Sequence, residues 1–347
     1  MEIMFPKVYP YGGRKLKKMT YSNSGVDIFK EEKAIKGLIS SIKSQRKGLG
    51  KPMTGHYAGL IDFGEYALVL CTDGVGSKVM IANEMKKWDT IGIDCIAMNV
   101  NDALVMGARP VAFVDYLAME KMDVDMAREI AKGLKKGAEQ AGVAIVGGET
   151  ATLPEIIRGF DLAGTCLGVV ERDIPKEMKE GDVIIGLRSN GIHSNGYTLA
   201  RKVFKNNGYS FHDEIDEIGV IGYTLLEPTR IYVKEIIELW NKVDVKGVAH
   251  ITGGGLKKLA RINKNVCFVI ENPIEPQPIF KIIQKLGNVG DEEMYKTFNM
   301  GMGMAVIVAK ENEDEALQLL SKYVEAKVVG KVEKGHGVKI PGMKISI

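Results

Sequence analysis

The sequence predicts a two-domain protein of mixed α/β class, of the α+β type. Its length of 347 residues suits two domains of ordinary size, each able to bury a core. Short apolar runs alternate with longer amphipathic stretches along the whole chain, as strands alternate with helices. Glycine is also frequent, at 40 residues, against a usual share of about 7%. Because no repeat accounts for this excess, it indicates many tight turns and ligand loops lined by backbone.

The first half of the chain alternates helical and extended patterns. Residues 29–46 have the polar spacing of a surface helix, and the apolar run 66–72 predicts a buried strand. Residues 88–106 carry apolar side chains at helical spacing and stop at Gly107, a typical C-terminal signal. Similar patterns predict strand 111–117, helix 125–141, strand 143–146 and strand 162–170.

A charged segment then separates the two halves. Residues 171–182 contain Pro175 and show no apolar period, as expected of a linker. We therefore place the domains at 1–172 and 173–347. The same patterns predict, in the second half, strand 183–187, helix 196–206, helix 229–240, strand 266–270, helix 278–286, strand 304–309, helix 312–323 and strand 326–332.

Composition excludes several classes of protein. Hydrophobic residues make up 45% and charged residues 26%, which argues against disordered and fibrous chains. The net charge of +3 is too small to indicate a nucleic-acid surface. The four cysteines lie in apolar stretches without paired spacing, as buried thiols in a reducing compartment do. With no apolar run of about 18 residues, we expect a cytoplasmic protein that binds neither membrane nor nucleic acid.

The segment Thr72-Asp-Gly-Val-Gly-Ser-Lys78 directly follows the predicted strand 66–72. An acid at the strand end can hold Mg²⁺, while glycine amides and Lys78 can face phosphate oxygens. The segment lacks the spacing of a Walker A loop. A strand-end turn with a surface lysine explains the same residues about as well.

Acidic and amide side chains recur on the predicted helix 88–106. Asn101 and Asp102 follow Asp94 by seven and eight residues, so the three side chains share one broad face of the helix. Burying such a face is costly unless it binds something, and a hard cation is the natural candidate. Exposure of this face to solvent is the alternative. Asp115 in a predicted strand and the loop Gly147-Gly-Glu-Thr150 strengthen the prediction of a magnesium–nucleotide site.

Two loops of the second half combine histidine, hydroxyl groups and glycine. Ser189-Asn-Gly-Ile-His-Ser-Asn-Gly196 precedes a predicted helix, and Ala249-His-Ile-Thr-Gly-Gly-Gly255 repeats the design. Backbone amides at a helix start can bind an anion, and His193 could carry a proton, although a lone histidine is more often structural. A third glycine-rich segment, 298–304, is equally well explained as a bulged entry into a strand.

Taken together, these motifs closely resemble the phosphoribosylformylglycinamidine cyclo-ligase family. The resemblance runs from Tyr21 to the end of the chain. In the order of the family, the sequence contains TDGVGSK (72–78), IGIDCIAMNVNDALVMGARPVAFVDY (91–116), GGETA (147–151), SNGIHSNGYTLARKV (189–203), LLEPTRIYV (225–233), HITGGGL (250–256) and FNMGMGM (298–304).

The resemblance implies an N-terminal domain that binds ATP and Mg²⁺, pairing its sheet into a barrel across a homodimer. It also implies a C-terminal α/β sandwich that binds the substrate, formylglycinamidine ribonucleotide. The implied reaction is the ATP-dependent closure of this substrate to aminoimidazole ribonucleotide, ADP and phosphate in purine synthesis, through an iminophosphate.

The resemblance also assigns roles to residues. Asp73, Lys78 and His193 are the expected catalytic residues. The expected magnesium ligands are Asp73, Asp94, Asp102 and Glu149. The expected nucleotide-binding residues are Gly25, Asp27, Asp73, Gly74, Gly76, Lys78, Asn101, Asp115, Gly148 and Thr150. The expected substrate-binding residues are His193, Ser194, Asn195, His250, Thr252, Gly253, Gly254 and Gly255.

Other activities of the same superfamily remain to be weighed. A kinase of the thiamine-monophosphate type would share the magnesium face, but the HSNG and HITGGG loops argue against it. Selenophosphate synthesis would need a reactive cysteine in the N-terminal arm, and the first cysteine here is Cys71. A hydrogenase maturation protein would end in cysteine, whereas this chain ends in Ile347. A non-catalytic binding subunit would be expected to lose the acidic residues.

Overall fold

The fold contains two separate, mainly antiparallel sheets, one in each half of the chain. A computed structural model describes residues 19–25, 28–41, 51–54 and 58–347. This arrangement confirms the predicted α+β class. In the described part of the chain, no helix is long and apolar enough to cross a membrane.

The first sheet has six strands in the order β1-β2-β3-β6-β4-β5. Only β4 and β5 run parallel. Its strands are β1 (Lys51–Thr54), β2 (Gly59–Asp62), β3 (Ala67–Gly74), β4 (Ala108–Met119), β5 (Ala144–Thr152) and β6 (Phe160–Val170). The helices of this half are α1 (Ile28–Ser41), α2 (Val79–Met85), α3 (Ile91–Val105) and α4 (Val124–Ala141).

Helix α3 lies at the centre of the molecule. It packs on β3, β4 and β6, on α4, and on two elements of the C-terminal half, strand β10 (Val245–His250) and helix α7 (Val233–Trp240). The close approach of α3 to α4 depends on Gly92 and Gly133. A Cβ added to Gly92 would lie 2.1 Å from the Leu134 nitrogen, so a larger residue would force the helices apart. Helix α3 is therefore buried along nearly its whole length.

The second sheet has seven strands in the order β10-β12-β7-β13-β11-β14-β15, in which only β11 and β14 run parallel. Its strands are β7 (Val183–Arg188), β10 (Val245–His250), β11 (Val266–Ile270), β12 (Met302–Val308), β13 (Ala326–Lys334), β14 (Gly337–Ile340) and β15 (Ile345–Ser346), and β8 (Glu214–Ile215) and β9 (Gly219–Val220) form a separate pair. The helices are α5 (Tyr197–Asn206), α6 (Ile221–Leu225), α7 (Val233–Trp240), α8 (Pro278–Gly287), α9 (Asp291–Thr297) and α10 (Glu313–Leu320).

The order of predicted elements agrees with the structure in most places. Residues 42–46 of the predicted helix 29–46 lie outside the described residues. Two predictions are wrong: the expected loop 147–150 continues strand β5, and residues 229–232 precede α7 and are not helical. The side chain of Asn101 provides the reason for the latter, since its amide donates to the Arg230 carbonyl at 2.8 Å and its oxygen accepts from the Tyr232 nitrogen at 3.0 Å. These contacts occupy backbone groups that would otherwise form the hydrogen bonds of a helix. The sequence also gave no expectation for ten elements: β1, β2, α2, β8, β9, α6, β10, α9, β14 and β15.

The predicted linker 171–182 forms neither helix nor strand. Its start is fixed, because the backbone nitrogens of Glu171 and Arg172 both donate to the Gly107 carbonyl, at 2.9 and 3.1 Å. The Arg172 side chain also donates to the Trp240 carbonyl at 3.2 Å. The segment therefore packs against both halves of the molecule. A domain boundary at 172/173 stays a prediction.

Candidate active site between the two halves

The glycine-rich turn at the end of β3 lies beside the HSNG loop of the C-terminal half. The Ser77 hydroxyl lies 3.4 Å from the Thr198 hydroxyl, and Lys78 donates to the His193 carbonyl at 3.2 Å. The loops expected to bind nucleotide and substrate are thus adjacent. Ligands bound by these two loops would therefore lie close together in the space between the loops, here called the cleft.

Lys78 is placed differently from the prediction. The sequence indicated either a phosphate contact or a surface lysine, but Lys78 is completely buried. Its ammonium group contacts both carboxylate oxygens of Asp94, at 3.0 and 2.8 Å, and donates to the Glu227 carbonyl at 2.6 Å. Burial lowers the pKa of Lys78, and the charge of Asp94 opposes that shift. The short 3₁₀ helix Gly76–Lys78 turns this side chain into the interior.

Asp94 also departs from its predicted role as a magnesium ligand. Its Oδ1 accepts hydrogen bonds from Ser194 Oγ at 3.0 Å and from the nitrogen and hydroxyl of Thr229 at 2.7 and 2.6 Å. With Lys78 on both oxygens, this fully buried carboxylate has no open side for a cation. Asp94 and Asp102 share a helix face, but eight residues separate them by about 12 Å along the axis.

Asp102 and Asn101 are held by a histidine of the C-terminal half. His250, at the end of β10, places Nδ1 2.8 Å from Asp102 Oδ1 and Nε2 3.4 Å from the Asn101 amide. His250 is fully buried, whereas Asp102 remains partly open to solvent. His250 thus orients a carboxylate that faces the cleft.

Asp73 stands near Asp102, at the end of β3. Solvent reaches Asp73, but the surrounding protein limits hydration of its carboxylate. This desolvation, together with repulsion from Asp102, raises the pKa of Asp73 to about 6. The Gly74 nitrogen, which donates to Asp73 at 2.8 Å, opposes the shift, as do Lys258 and His250. A cation bound between Asp73 and Asp102 would relieve the repulsion between their carboxylates, and solvent gives it access.

Glu149 does not join these carboxylates. In the register of β4 and β5, Glu149 pairs with Tyr116, whereas Gly148 pairs with Asp115. Paired residues share a face of a sheet and successive residues alternate, so Glu149 lies on the opposite face from Asp115. Within the described ranges, no three His, Cys, Asp or Glu side chains converge as a metal site. The predicted four-carboxylate cluster is therefore wrong for a single chain.

Asp115 lies on the inner face of the first sheet, in the same row as Asp73. Both pair with Gly164 of β6, so one strand separates them. Burial raises the pKa of Asp115. A Cβ on Gly148 would lie 2.5 Å from Asp115 Oδ1, which explains the glycine at that position. Thr150, two residues further along β5, is exposed on the same face as Gly148.

His193 is held as a neutral side chain. Its Nε2 accepts from the Asn190 nitrogen at 3.2 Å, so the proton of a neutral ring belongs on Nδ1. Nδ1 is buried and has no hydrogen-bond partner. Burial, followed by the charges of His250 and Lys78, lowers the pKa of His193 well below its usual range. The ring is thus suited to donating a hydrogen bond rather than to carrying positive charge.

The HSNG loop contacts the triple glycine. Asn195 directs its side chain at Gly253, where a Cβ would lie 2.7 Å from Asn195 Oδ1. The amide nitrogen of Asn195 is buried without a partner, and Thr252 is buried beside this contact. The expected helix after the glycines is a short 3₁₀ helix, Gly255–Arg261, preceded by Gly254 at a φ of 91°. The Asn195 amide is therefore a hydrogen-bond donor left without a partner where the HSNG loop meets the triple glycine.

The remaining predicted nucleotide-binding residues are glycines and Asp27. Gly25 has a φ of 110° after a short 3₁₀ turn, and Asp27 lies outside the described residues. Gly74 and Gly76 lie in the turn between Asp73 and Lys78, Gly76 with a φ of 70°.

Sequence reasoning missed three residues that build the cleft. Thr229 binds Asp94, and Tyr232 binds Asn101 through its backbone. Lys258 is half-buried in the 3₁₀ helix, and its pKa is lowered by burial and Arg261 and raised by Asp102 and Asp73. Pro228, directly before the predicted helix 229–240, was the available signal of a turn near the first two residues.

The residues present fit a magnesium–nucleotide complex. Mg²⁺ is usually bound by one or two protein carboxylates and completed by substrate phosphates and water. Asp73 and Asp102 supply such a pair, and desolvation, followed by the charge of Asp102, raises the pKa of Asp73. Lys258 provides a nearby cation.

Fold and cleft together define a two-domain protein of the AIR synthase related class. Family models described as "AIR synthase related protein, N-terminal domain" and "AIR synthase related protein, C-terminal domain" match residues 55–170 and 179–342. The structure of AaThiL complexed with AMPPCP and TMP aligns with a TM-score of 0.65 at 16% identity, covering 91% of this chain and 94% of that one. This likeness shows the fold alone.

Sequence similarity identifies the family. The phosphoribosylformylglycinamidine cyclo-ligase of Methanosarcina acetivorans is 57% identical over 331 residues, covering 93% of this chain and 98% of the relative. That of Methanococcoides burtonii is 53% identical over 336 residues, covering 95% and 99%. The chain belongs to the phosphoribosylformylglycinamidine cyclo-ligase family, whose members use ATP.

Proposed function

We propose that this chain catalyses the ATP-dependent closure of formylglycinamidine ribonucleotide to aminoimidazole ribonucleotide, ADP and phosphate. The observation that carries the proposal is the 57% identity with a cyclo-ligase along nearly the full length of both chains. The reaction belongs to purine biosynthesis, for which we propose a cytoplasmic location.

The chemistry needs an activated formamide. The formyl oxygen is a poor leaving group, so it attacks the γ-phosphorus of ATP and releases ADP. Loss of the formamide N–H proton then gives an iminophosphate. The neighbouring amidine-derived nitrogen then attacks the formyl carbon and loses a proton. The carbon–oxygen bond breaks, and phosphate departs with the original formyl oxygen. Positioning and electrostatics supply most of the acceleration in such phosphoryl transfers.

Asp73 and Asp102 are the residues that we propose to hold Mg²⁺ and, through it, the ATP phosphates. A bound Mg²⁺ supplies charge neutralisation on the transferring phosphoryl group. His250 fixes the orientation of Asp102 by the contact of 2.8 Å. Lys258, whose pKa reflects both carboxylates, takes the phosphate-facing role that the sequence assigned to Lys78.

The donors around the HSNG loop are proposed to bind the ribonucleotide. His193 Nδ1 and Asn195 Nδ2 are buried donors without partners, and a ligand oxygen would satisfy them. Such groups cost free energy when left unpaired, so they favour a ligand that supplies acceptors. Ser194, by contrast, is already bound to Asp94. The backbone of Gly253, Gly254 and Gly255 lies beside these donors.

A homodimer is proposed from the outer face of the first sheet. Leu70, Val114 and Tyr116 are 47%, 39% and 40% exposed on this face, and Leu167 joins them between β3 and β4. Helix α3 contacts β3, β4 and β6, and the residues that point to the other face of the sheet, such as Cys71 and Phe113, are buried. Soluble proteins seldom leave such a patch uncovered, and the occupant that we propose for it is the same sheet of a second copy.

Acceptor specificity tests the proposed function. We expect ADP release from Mg²⁺–ATP with formylglycinamidine ribonucleotide and none above background with thiamine monophosphate. A matched control is Asp125→Asn, a surface carboxylate paired with Arg128, which should leave the rate unchanged. Phosphorylation of thiamine monophosphate instead would replace the cyclo-ligase proposal with the kinase alternative.

A further inference from the structure

The Lys78–Asp94 ion pair connects the N-terminal half to two loops of the C-terminal half. We propose that Lys78 and Asp94 are positioning residues that fix the HSNG loop and its His193, rather than groups that touch nucleotide or metal. The inference rests on the proposed function in one respect, which is that the HSNG loop binds the ribonucleotide.

The first support is the direction of the hydrogen bonds. Lys78 Nζ donates to the carbonyls of His193 and Glu227, at 3.2 and 2.6 Å. Asp94 Oδ1 accepts from Ser194 and Thr229 at 3.0 Å or less. Each partner of the ion pair thus contacts both loops of the C-terminal half.

The second support is the backbone of His193. Its φ of 60° lies in the left-handed region, which costs free energy for a residue with a Cβ. The structure around it must therefore hold this conformation. The His193 carbonyl accepts from Lys78 at 3.2 Å and from the Tyr197 hydroxyl at 2.9 Å. Removing Lys78 takes away one of these two restraints.

The third support is burial. Neither Lys78 nor Asp94 exposes any side-chain surface, so contact with a ligand would require both to leave their partners. Buried ion pairs add little net stability, but in some proteins they select one conformation over alternatives. Here the selected conformation sets where His193 Nδ1 and Asn195 Nδ2 lie.

Hydrogen exchange of the ligand-free protein tests this role without any substrate. We expect Lys78→Met and Asp94→Asn to accelerate amide exchange in 189–196 and 227–230 by about tenfold or more. In these variants the two loops can open locally without breaking the ion pair, so opening costs less free energy. Lys87→Met is the matched control. Lys87 forms a half-exposed pair with Asp89 in the same half of the chain, so loop exchange should not change.

Steady-state kinetics give a second readout. The same variants should raise KM for formylglycinamidine ribonucleotide by about tenfold or more, as displaced binding groups do, and leave KM for ATP within about twofold. Ser194→Ala is a milder variant, which removes one donor to Asp94 without leaving a buried charge. It should shift both readouts in the same direction if the other variants fold poorly.

Two results would overturn the inference. Unchanged loop exchange in Lys78→Met with a lower kcat would mean that Lys78 contacts the transferring phosphate. A rise in KM for ATP alone would assign the pair to the nucleotide. Faster loop exchange in a protein that makes no aminoimidazole would support the positioning role and reject the proposed function, so the two failures are distinguishable.

Discussion

Removing the charge of Asp94 should destabilise the protein strongly. The Asp94→Asn substitution keeps the size of the side chain and one acceptor oxygen. It leaves the ammonium of Lys78 completely buried without its counterion. The remaining acceptors of Lys78 are two backbone carbonyls, at 3.2 and 2.6 Å, which carry no net charge.

The expected cost follows from this geometry. Breaking a buried ion pair by removing one partner costs about 3–5 kcal/mol. Neutral Lys78 would relieve part of this cost, since burial already lowers its pKa. The double variant Lys78→Met/Asp94→Asn should recover part of the loss, because it leaves no unpaired charge in the interior.

Urea unfolding followed by circular dichroism measures the difference. The control is Asp89→Asn, whose partner Lys87 is 38% exposed, and it should cost less than about 1 kcal/mol. A loss below about 1 kcal/mol for Asp94→Asn would refute the reasoning. So would a double variant whose loss relative to the wild type equals the sum of the two single losses.

Three further predictions concern the cleft and the sheet. Asp102→Asn should lower substrate-dependent ADP release by about 100-fold or more with an unchanged circular dichroism spectrum; near-normal turnover would remove Asp102 from the site. Since the folded pKa of Asp73 is raised to about 6 from 3.8, the ligand-free protein loses stability as the pH rises from about 3.8 to about 6, and the loss is complete above that range. The rise in Tm caused by Mg²⁺–ATP should therefore be large above pH 7 and fade below about 6, as protons compete with the cation; a pH-independent rise would contradict this. Tyr116→Asp should convert the proposed dimer to a monomer in light scattering, and a wild-type monomer at micromolar concentration would refute the dimer itself.

Much of the fold could be predicted because apolar periodicity decides it. The run that became β7 is almost wholly buried, and those that became β3 and β4 bury part of their residues. Helix α3 ends close to Gly107, as its sequence indicates. The strands that escaped prediction are short or interrupted. β10, for example, contains Lys246 and Gly247 and becomes a strand through pairing with β12.

The site was predicted less completely. Residue spacing along the chain does not show how deeply a side chain is buried or which distant residues it contacts. Helical periodicity placed Asp94 and Asp102 on one face but not at one point along the axis. Strand alternation places Glu149 and Gly148 on opposite faces, and the sequence did not fix which of them meets Asp115. The burial of Lys78 depends on Glu227 and His193. Both lie more than a hundred residues away along the chain, so the local sequence around Lys78 does not predict these contacts.

Isotope transfer from the substrate tests the central claim most directly. Formylglycinamidine ribonucleotide labelled with ¹⁸O in the formyl group would be converted with Mg²⁺–ATP, and the phosphate examined by ³¹P NMR. We predict one ¹⁸O atom in inorganic phosphate for each aminoimidazole ribonucleotide and ADP formed, because the formyl oxygen attacks the γ-phosphorus and leaves with it. Unlabelled phosphate, or ADP formed without aminoimidazole, would contradict the account.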